Sequence, residues 1–249
     1  MNIYSVIFLF CAFCLNVLNS FAESIDDLYM MTEEYPPYNF LDNGQLKGIS
    51  VDVLAAVLKE MDAINTVENV QLLPWARGYR EVQERAGTML FSTTHTEARD
   101  SLFQWSPAIV QTKISVIALK GKGFDISSAD DLKGLRIGVV RDDVGDLLLK
   151  GIGIDDSLIQ RSADAKNILK KLEQNRVDVV SYDENVAFWL LKSMGKDVSR
   201  YEVLHVLKEG DLTFAFHKGT DPELIESFNA ALEKVKKSPK YQEILKAYK

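Results

Sequence analysis

The chain has 249 residues, is 47% hydrophobic and carries a formal net charge of -7 at pH 7. This length and composition support one large or two small folded domains with an ordinary buried core. The acidic balance argues against nucleic acid and anionic membrane surfaces as partners, because both are themselves negatively charged.

Residues 1–22 lack Asp, Glu, Lys and Arg, and they are almost continuously apolar before the small-residue sequence SFA at 20–22. This pattern predicts a secretory signal peptide that is cleaved after Ala22. The alternative is a single uncleaved membrane anchor, although the apolar stretch is short for a span. Both cysteines, Cys11 and Cys14, lie in this segment. The exported chain is therefore expected to fold without disulfides.

After the signal peptide, short apolar runs alternate with amphipathic helical patterns, which predicts an α/β fold. Strands are expected at 28–32, 67–73, 88–92, 135–140 and 177–180. Helices are expected at 49–62, 74–87, 144–151, 163–175, 184–195, 221–238 and 239–249. Each helix assignment rests on apolar residues recurring on one face or on a capping residue at its start.

Two further extended runs, 111–119 and 211–216, each join one α/β set to the other. A chain that crosses out and back in this way forms two lobes connected by two strands. Such a pair of strands is a natural hinge, with a ligand cleft between the lobes. We therefore predict that residues 23–110 and 212–249 form lobe 1 and that residues 111–211 form lobe 2.

Seven short motifs in order resemble the periplasmic solute-binding proteins of polar amino acid ABC importers. They are YPPYNF (35–40), GISVDVL (48–54), TEAR (96–99), FQWSPA (103–108), SSADDLKGLRIGVV (127–140), NRVDVVSYDE (175–184) and KYQEILKAY (240–248). The resemblance covers essentially the whole exported chain. It implies the type II two-lobed fold of periplasmic binding proteins. It also implies a periplasmic monomer that delivers a small ligand to an ABC permease in the inner membrane, without a cofactor, a metal or catalytic residues.

A zwitterionic ligand requires a planar cation for its carboxylate and an acid for its ammonium group. The resemblance implies that Arg99 binds the carboxylate, that Asp183 receives the ammonium and that Tyr35 stacks on the ligand. Ser92 and Thr94 are expected to add hydroxyl donors beside Arg99. The residues alone leave two alternatives open, since Arg99 is flanked by acids with which it could pair on the surface, and Asp183 could simply cap the following helix.

Three more residues complete the predicted ligand-binding set. Trp75 and Arg77 lie at a helix start that could line the cleft, although a core tryptophan and a surface arginine are equally compatible with the sequence. Arg141 is included with them. Relatives often carry a Gly-Thr-Thr-like turn at positions 142 and 143, where backbone N–H groups meet the ligand carboxylate. Asp142 and Asp143 would compete with an anion there, which leaves open whether lobe 2 shares this contact.

Two other functions are compatible with the same scaffold. A few periplasmic dehydratases of the cyclohexadienyl dehydratase type share it, and His95 could act there as an acid or a base. The three histidines are scattered, however, and no zinc motif, phosphate loop or Gly-x-Ser-x-Gly elbow is present. The sequence therefore favours a binding protein over an enzyme. The remaining alternative is a soluble sensor module that serves a membrane receptor.

Overall fold

A computed structural model of the chain describes residues 24–248. The predicted signal peptide at 1–22, with its cleavage site and both cysteines, lies outside these residues. Among the described residues, no helix combines the length and the apolar character that a membrane span needs.

Within residues 24–248 the chain forms seven α-helices and eleven strands. The helices are α1 (Ile49–Glu60), α2 (Trp75–Glu84), α3 (Val144–Ile152), α4 (Ala165–Glu173), α5 (Glu184–Ser193), α6 (Pro222–Lys237) and α7 (Pro239–Ala247). The strands are β1 (Tyr29–Thr32), β2 (Phe40–Asp42), β3 (Gln45–Lys47), β4 (Gln71–Leu72), β5 (Thr88–Thr94), β6 (Phe103–Trp105), β7 (Val110–Leu119), β8 (Ile137–Val140), β9 (Ile159–Ser162), β10 (Val179–Asp183) and β11 (Tyr201–His217).

The main sheet has the strand order β4-β1-β5-β11-β7-β10-β8-β9, and β6 adds to β11. Strand β1 is parallel to β4 and β5, and β8 is parallel to β9 and β10. The long strands β7 and β11 are antiparallel to each other and lie between these two parallel sets. The fold is therefore the expected two-lobed α/β architecture, while the lobe limits at 110/111 and 211/212 stay a prediction.

Helices cover the central strands of the sheet, as the apolar sequences of these strands predict. Strands β5, β8 and β10 are buried along their whole length, as parallel strands covered by helices are. The C-terminal helices α6 and α7 pack against α1. Gly48 is the N-cap of helix α1; its φ is +128°, and an added Cβ there would lie 2.2 Å from the Tyr38 carbonyl oxygen. Only glycine fits this junction between α1 and the loop that carries Tyr35.

Several elements differ from the sequence prediction, among them β6, which was not predicted. Strand β11 begins at Tyr201, ten residues before the predicted run, because its first half is half-buried and mixes polar with apolar residues. The predicted strand at 67–73 begins instead with a 3-10 turn, Val67–Asn69, which Thr66 caps. The β2–β3 hairpin, with Asn43 and Gly44 at positive φ, was not predicted, although Asn-Gly is a strong turn signal. Strand β9 was also missed.

Candidate functional site

Arg99 lies in a 3-10 helix, Glu97–Leu102, that follows β5, and only 1% of its surface is exposed. Its Nη1 donates to the Thr94 carbonyl at 3.2 Å, and its Nη2 donates to the Asp142 carbonyl at 3.1 Å. Its Nε has no partner among the described residues. A guanidinium carries five N–H groups, so donors remain for a further acceptor. Arg99 is not the surface residue of the alternative interpretation.

Two aromatic rings of helix α2, Trp75 and Tyr79, contact the guanidinium of Arg99. The Cζ atom of Arg99 lies 5.1 Å from the centroid of Trp75 and 4.8 Å from that of Tyr79. The two rings stack at 5.2 Å because positions i and i+4 share one helix face. Trp75 is 2% exposed, and its Nε1 has no hydrogen-bond partner in the described chain. Cation–π contacts of this kind orient Arg99.

Asp183 is the last residue of β10 and the N-cap of α5, and it is fully buried. Its Oδ1 accepts a hydrogen bond from the Val186 N–H at 2.9 Å, and its Oδ2 accepts one from the Thr112 hydroxyl. Burial, with a smaller contribution from the charge of Asp143, raises the pKa of Asp183 to about 7 against the hydrogen bonds from Val186 and Tyr35. A carboxylate offers about four acceptor positions. Capping uses only part of them, so Asp183 can still accept from a further donor.

Tyr35 contacts both lobes. Its ring stacks on Tyr38 at 5.6 Å and meets Tyr182 edge-on at 5.7 Å. The ring is buried, and the Pro36–Pro37 peptide bond that follows it is cis. Burial raises the pKa of the Tyr35 hydroxyl well above its usual value, with Asp183 adding to the rise. The hydroxyl therefore stays neutral and can donate to Asp183 across the cleft.

Glu33 and Asp143 add two buried carboxyl groups to this cluster. Burial raises the pKa of Glu33 well above its usual value, Asp143 raises it further, and Arg99 opposes the rise. Burial also raises the pKa of Asp143, again against Arg99. Arg99 therefore interacts with both Glu33 and Asp143, and Asp143 in turn interacts with Asp183. No group of His, Cys, Asp or Glu in residues 24–248 has the arrangement needed to hold a metal ion.

The two predicted hydroxyl donors are buried, and one of them is already used within lobe 1. The Ser92 hydroxyl donates to Asn39 Oδ1, and its oxygen accepts from the Ser50 hydroxyl at 2.8 Å. Ser92 has φ +59° at the point where the register between β5 and β11 shifts, which is the geometry of a β-bulge. Thr94 contributes its carbonyl to Arg99, as described above. Of the polar run at 92–94, Thr94 is thus the residue that contacts Arg99, and it does so through its carbonyl and not its hydroxyl.

The structure places Arg77 and Arg141 outside the buried cluster. The Arg77 side chain is 58% exposed and lies 3.9 Å from Glu81, and Arg141 is exposed at the end of β8. The position of Arg77 fits the surface interpretation, because its side chain lies on the exposed face of α2. His95 bonds to Asp100 at 3.0 Å near the surface.

The lobes touch along one edge of the cleft as well as at Arg99. Asn185 donates to the Tyr38 hydroxyl at 2.9 Å, and the rings of Phe40 and Trp189 are 5.5 Å apart. Lys166 lies 4.0 Å from Glu34. The arrangement is closed, so the residues of the cluster are enclosed by both lobes.

Sequence reasoning missed Tyr79 as a partner of Arg99 and did not include Glu33 in the ligand-binding set. The signal for Tyr79 was its i+4 spacing from Trp75. The signal for Glu33 was its place two residues before Tyr35, at the carboxyl end of a buried strand. Asp143 was identified as an obstacle to an anion, and the structure shows it buried and facing Arg99.

Residues 28–249 match the family model described as bacterial extracellular solute-binding proteins, family 3. A "Probable histidine-binding protein" of Neisseria gonorrhoeae is 29% identical over 219 residues, which cover 86% of this chain and 80% of that protein. A second protein of that name, from Campylobacter jejuni, is 24% identical, with coverage of 86% and 81%. The arginine-, lysine-, histidine-binding protein ArtJ from Geobacillus stearothermophilus has a similar structure, with a TM-score of 0.75 at 22% identity, covering 89% of this chain and 94% of ArtJ.

The two-lobed fold and the buried cluster between the lobes together define a solute-binding protein. The chain belongs to the bacterial extracellular solute-binding proteins, family 3.

Proposed function

We propose that the protein binds a small zwitterionic solute, a polar or basic amino acid, between its lobes in the periplasm and delivers it to an ABC permease. The names of the relatives, which refer to histidine, arginine and lysine, support an amino acid as the solute. The observation that carries the proposal is the buried Arg99 guanidinium, which touches both lobes and retains a free Nε donor.

In this mechanism, Arg99 and Trp75 donate to the ligand carboxylate, and Asp183 accepts from the ligand ammonium. Trp75 Nε1 and Arg99 Nε are buried donors without partners, and each such donor costs about 1–3 kcal/mol when it is left unsatisfied. A carboxylate that accepts from both relieves this cost. Because the donors belong to lobe 1 and Asp183 belongs to lobe 2, a ligand that reaches both favours closure.

Closure also strengthens the ion pair. Water is excluded when the lobes meet, and the attraction between two charges grows as the local dielectric constant falls. Tyr35 covers the site and contributes its hydroxyl to Asp183. The closed shape, which the ligand favours, is then the form that a permease can distinguish from an open protein.

Isothermal titration calorimetry of the chain from residue 23 with the common L-amino acids tests the proposal. We expect at least one to bind, and Arg99→Lys to weaken that binding by about tenfold or more, because lysine keeps the charge but loses the planar donor array. Arg77→Lys is the matched control, and it should bind like the unmodified protein. Equal affinity of the Arg99→Lys variant, or no binding by any amino acid, would refute the proposal.

Delivery to a permease requires a cellular test. Uptake of the radiolabelled ligand should fall in cells that lack this protein and return when the unmodified chain is supplied, but not when Arg99→Lys is supplied. Ligand recovered from the protein should be chemically unchanged, and conversion that depends on His95 would instead indicate an enzyme.

A further inference from the structure

The Tyr35 loop, residues 35–40, carries three aromatic side chains that contact lobe 2. Tyr35 meets a tyrosine of β10, and Tyr38 and Phe40 contact residues of α5. The position of this loop therefore affects both how Tyr35 covers the site and how the two lobes meet.

The start of α1 fixes the Tyr35 loop. The Ser50 N–H donates to the Tyr38 carbonyl at 2.9 Å. Gly48 is the N-cap of α1, and it has no side chain to cap the helix. In a capping box, the side chain at the third helical position accepts from the N–H of the N-cap residue. That position is Val51, which has no acceptor, so the Gly48 N–H depends on a partner from outside the helix.

Tyr248, which follows α7, supplies this partner. Its hydroxyl accepts from the Gly48 N–H at 3.1 Å and donates to Asp52 Oδ2 at 2.8 Å. Its ring meets Phe40 edge-on, with the centroids 6.1 Å apart. Burial, with the hydrogen bond to Asp52, raises the pKa of Tyr248 to about 12, so the hydroxyl stays protonated and remains a donor. One side chain thus contacts both the start of α1 and the end of the Tyr35 loop.

A tyrosine in this place could also do no more than fasten the C-terminal helices to lobe 1. Tyr241 of α7 makes a contact of that kind, because its hydroxyl donates to the Ile109 carbonyl at 2.6 Å, outside the Tyr35 loop. Such a bond contributes to stability and gives no reason for a change in ligand affinity. Tyr248 differs because its ring touches Phe40, which itself contacts lobe 2.

We infer that Tyr248 is a positioning residue of the binding site: its hydroxyl and ring hold the Tyr35 loop where Tyr35 covers the ligand and Phe40 meets lobe 2. The inference rests on the proposed function, since it assumes that an amino acid binds beneath Tyr35. A loop that samples other positions is competent to bind for only a fraction of the time, and the apparent affinity falls by that fraction.

Isothermal titration calorimetry with an L-amino acid that the unmodified protein binds tests the inference. Tyr248→Phe keeps the ring but removes both hydrogen bonds, so we expect binding that is about fivefold weaker. Tyr241→Phe is the matched control. It removes a hydroxyl from the same region of the chain and should keep the affinity of the unmodified protein, even though its melting temperature falls.

Two further measurements separate positioning from a general loosening of lobe 1. Tyr248→Phe should weaken binding less in a Tyr35→Ala background than in the unmodified protein, because no Tyr35 ring is then left to place over the ligand. Hydrogen exchange of the ligand-free protein needs no ligand. Amides in residues 35–50 should exchange faster in Tyr248→Phe and at the unmodified rate in Tyr241→Phe.

Three results would overturn the inference: equal affinities of Tyr248→Phe and Tyr241→Phe, fully additive effects of Tyr248→Phe and Tyr35→Ala, or unchanged exchange of residues 35–50 in Tyr248→Phe. Each of them leaves the proposed function intact as long as an amino acid binds in an Arg99-dependent way. Failure of every amino acid to bind would instead refute the proposed function, whatever the exchange rates are.

Discussion

Asp183 combines a structural task with the proposed binding task, and its ionisation connects them. Its folded-state pKa of about 7 lies well above the usual value for aspartate, first because of burial and then because of Asp143. Glu33 and Asp143 are shifted in the same direction. For such a group the neutral form is the one that favours folding. Its stabilising effect is complete below the usual pKa and is lost as pH rises through the folded pKa.

The first residue-scale prediction is therefore that the ligand-free protein becomes less stable between pH 5 and pH 8. Asp183→Asn should flatten this dependence, because asparagine can still cap α5 and accept from Val186. Differential scanning calorimetry at a series of pH values measures it.

Asp197→Asn provides the control, since hydrogen bonds from Ser199 hold the pKa of this exposed N-cap below its usual value. That variant should not flatten the profile. A ligand-free stability that rises through the same pH window would contradict the assignment.

Ligand affinity should change in the opposite direction, which is the second residue-scale prediction. The proposed contact to the ammonium group needs ionised Asp183, so affinity should rise as pH increases through about 7. Calorimetric titration at pH 5 and pH 8 checks this for the unmodified protein and for Asp183→Asn. A variant that keeps the same rise would show that another group controls it.

At the scale of elements, the position of α3 depends on a buried ion pair. Asp146 is fully buried, its carboxylate accepts from Arg161 of β9 at 2.9 Å, and it also accepts from the Asp142 N–H at 3.1 Å. Gly145 allows α3 to approach β10 closely, because a Cβ at this position would lie 2.6 Å from the Ser181 carbonyl oxygen. The same contacts fix the turn that presents Asp143 and the carbonyl that Arg99 binds.

We predict that Arg161→Ala lowers the free energy of unfolding by about 3 kcal/mol, because it leaves the buried Asp146 carboxylate with only the half-exposed Lys150, at 3.4 Å, as a cationic partner. Arg136→Ala is the matched control. Arg136 pairs with Asp178 at 2.6 Å but its side chain is 45% exposed, so its loss should cost about 1 kcal/mol or less. Urea denaturation measures both, and equal losses would mean that the Asp146 pair has no special role.

Most helices and buried strands were predictable because their apolar spacing or capping residues are local signals. Strand β9 was not, since its residues Ile159–Ser162 are mostly polar and acquire their conformation by pairing with β8. Arg99, Asp183 and Tyr35 came from the order of motifs along the chain. Arg77 could not be assigned to a surface from sequence, because a helix start carries both buried and exposed faces. The pairing of Trp75 with Arg99 depends on the packing of α2 against β5, which no local pattern encodes.

At the scale of the whole molecule, closure depends on few contacts at the edge of the cleft. Phe40 meets Trp189, and Asn185 meets Tyr38, each pair joining the two lobes. The apolar groove beside them is lined by residues of both lobes, including Pro37 and Phe188. Weakening these contacts should shift the population toward an open form without unfolding either lobe.

We predict that the double variant Phe40→Ala/Asn185→Ala has a larger radius of gyration than the unmodified protein when no ligand is present, and that saturating ligand restores the compact value. Small-angle X-ray scattering measures this change. Leu41→Ala alters the exposed neighbour of Phe40 in β2 and is the control. Identical scattering of the double variant and the control without ligand would show that these contacts do not hold the lobes together.

The position of β11 also affects how the polypeptide can reach its native state. Thr213 in this strand bonds to Thr93 in β5, 120 residues earlier, and α6 and α7 then complete the packing on α1. The amino-terminal strands therefore remain unpaired on one side until the last part of the chain is available. We expect the middle of the chain to acquire structure first, because its partners are closer in sequence. Until β11 pairs with it, the open edge of β5 is the segment that most needs protection from pairing with other chains.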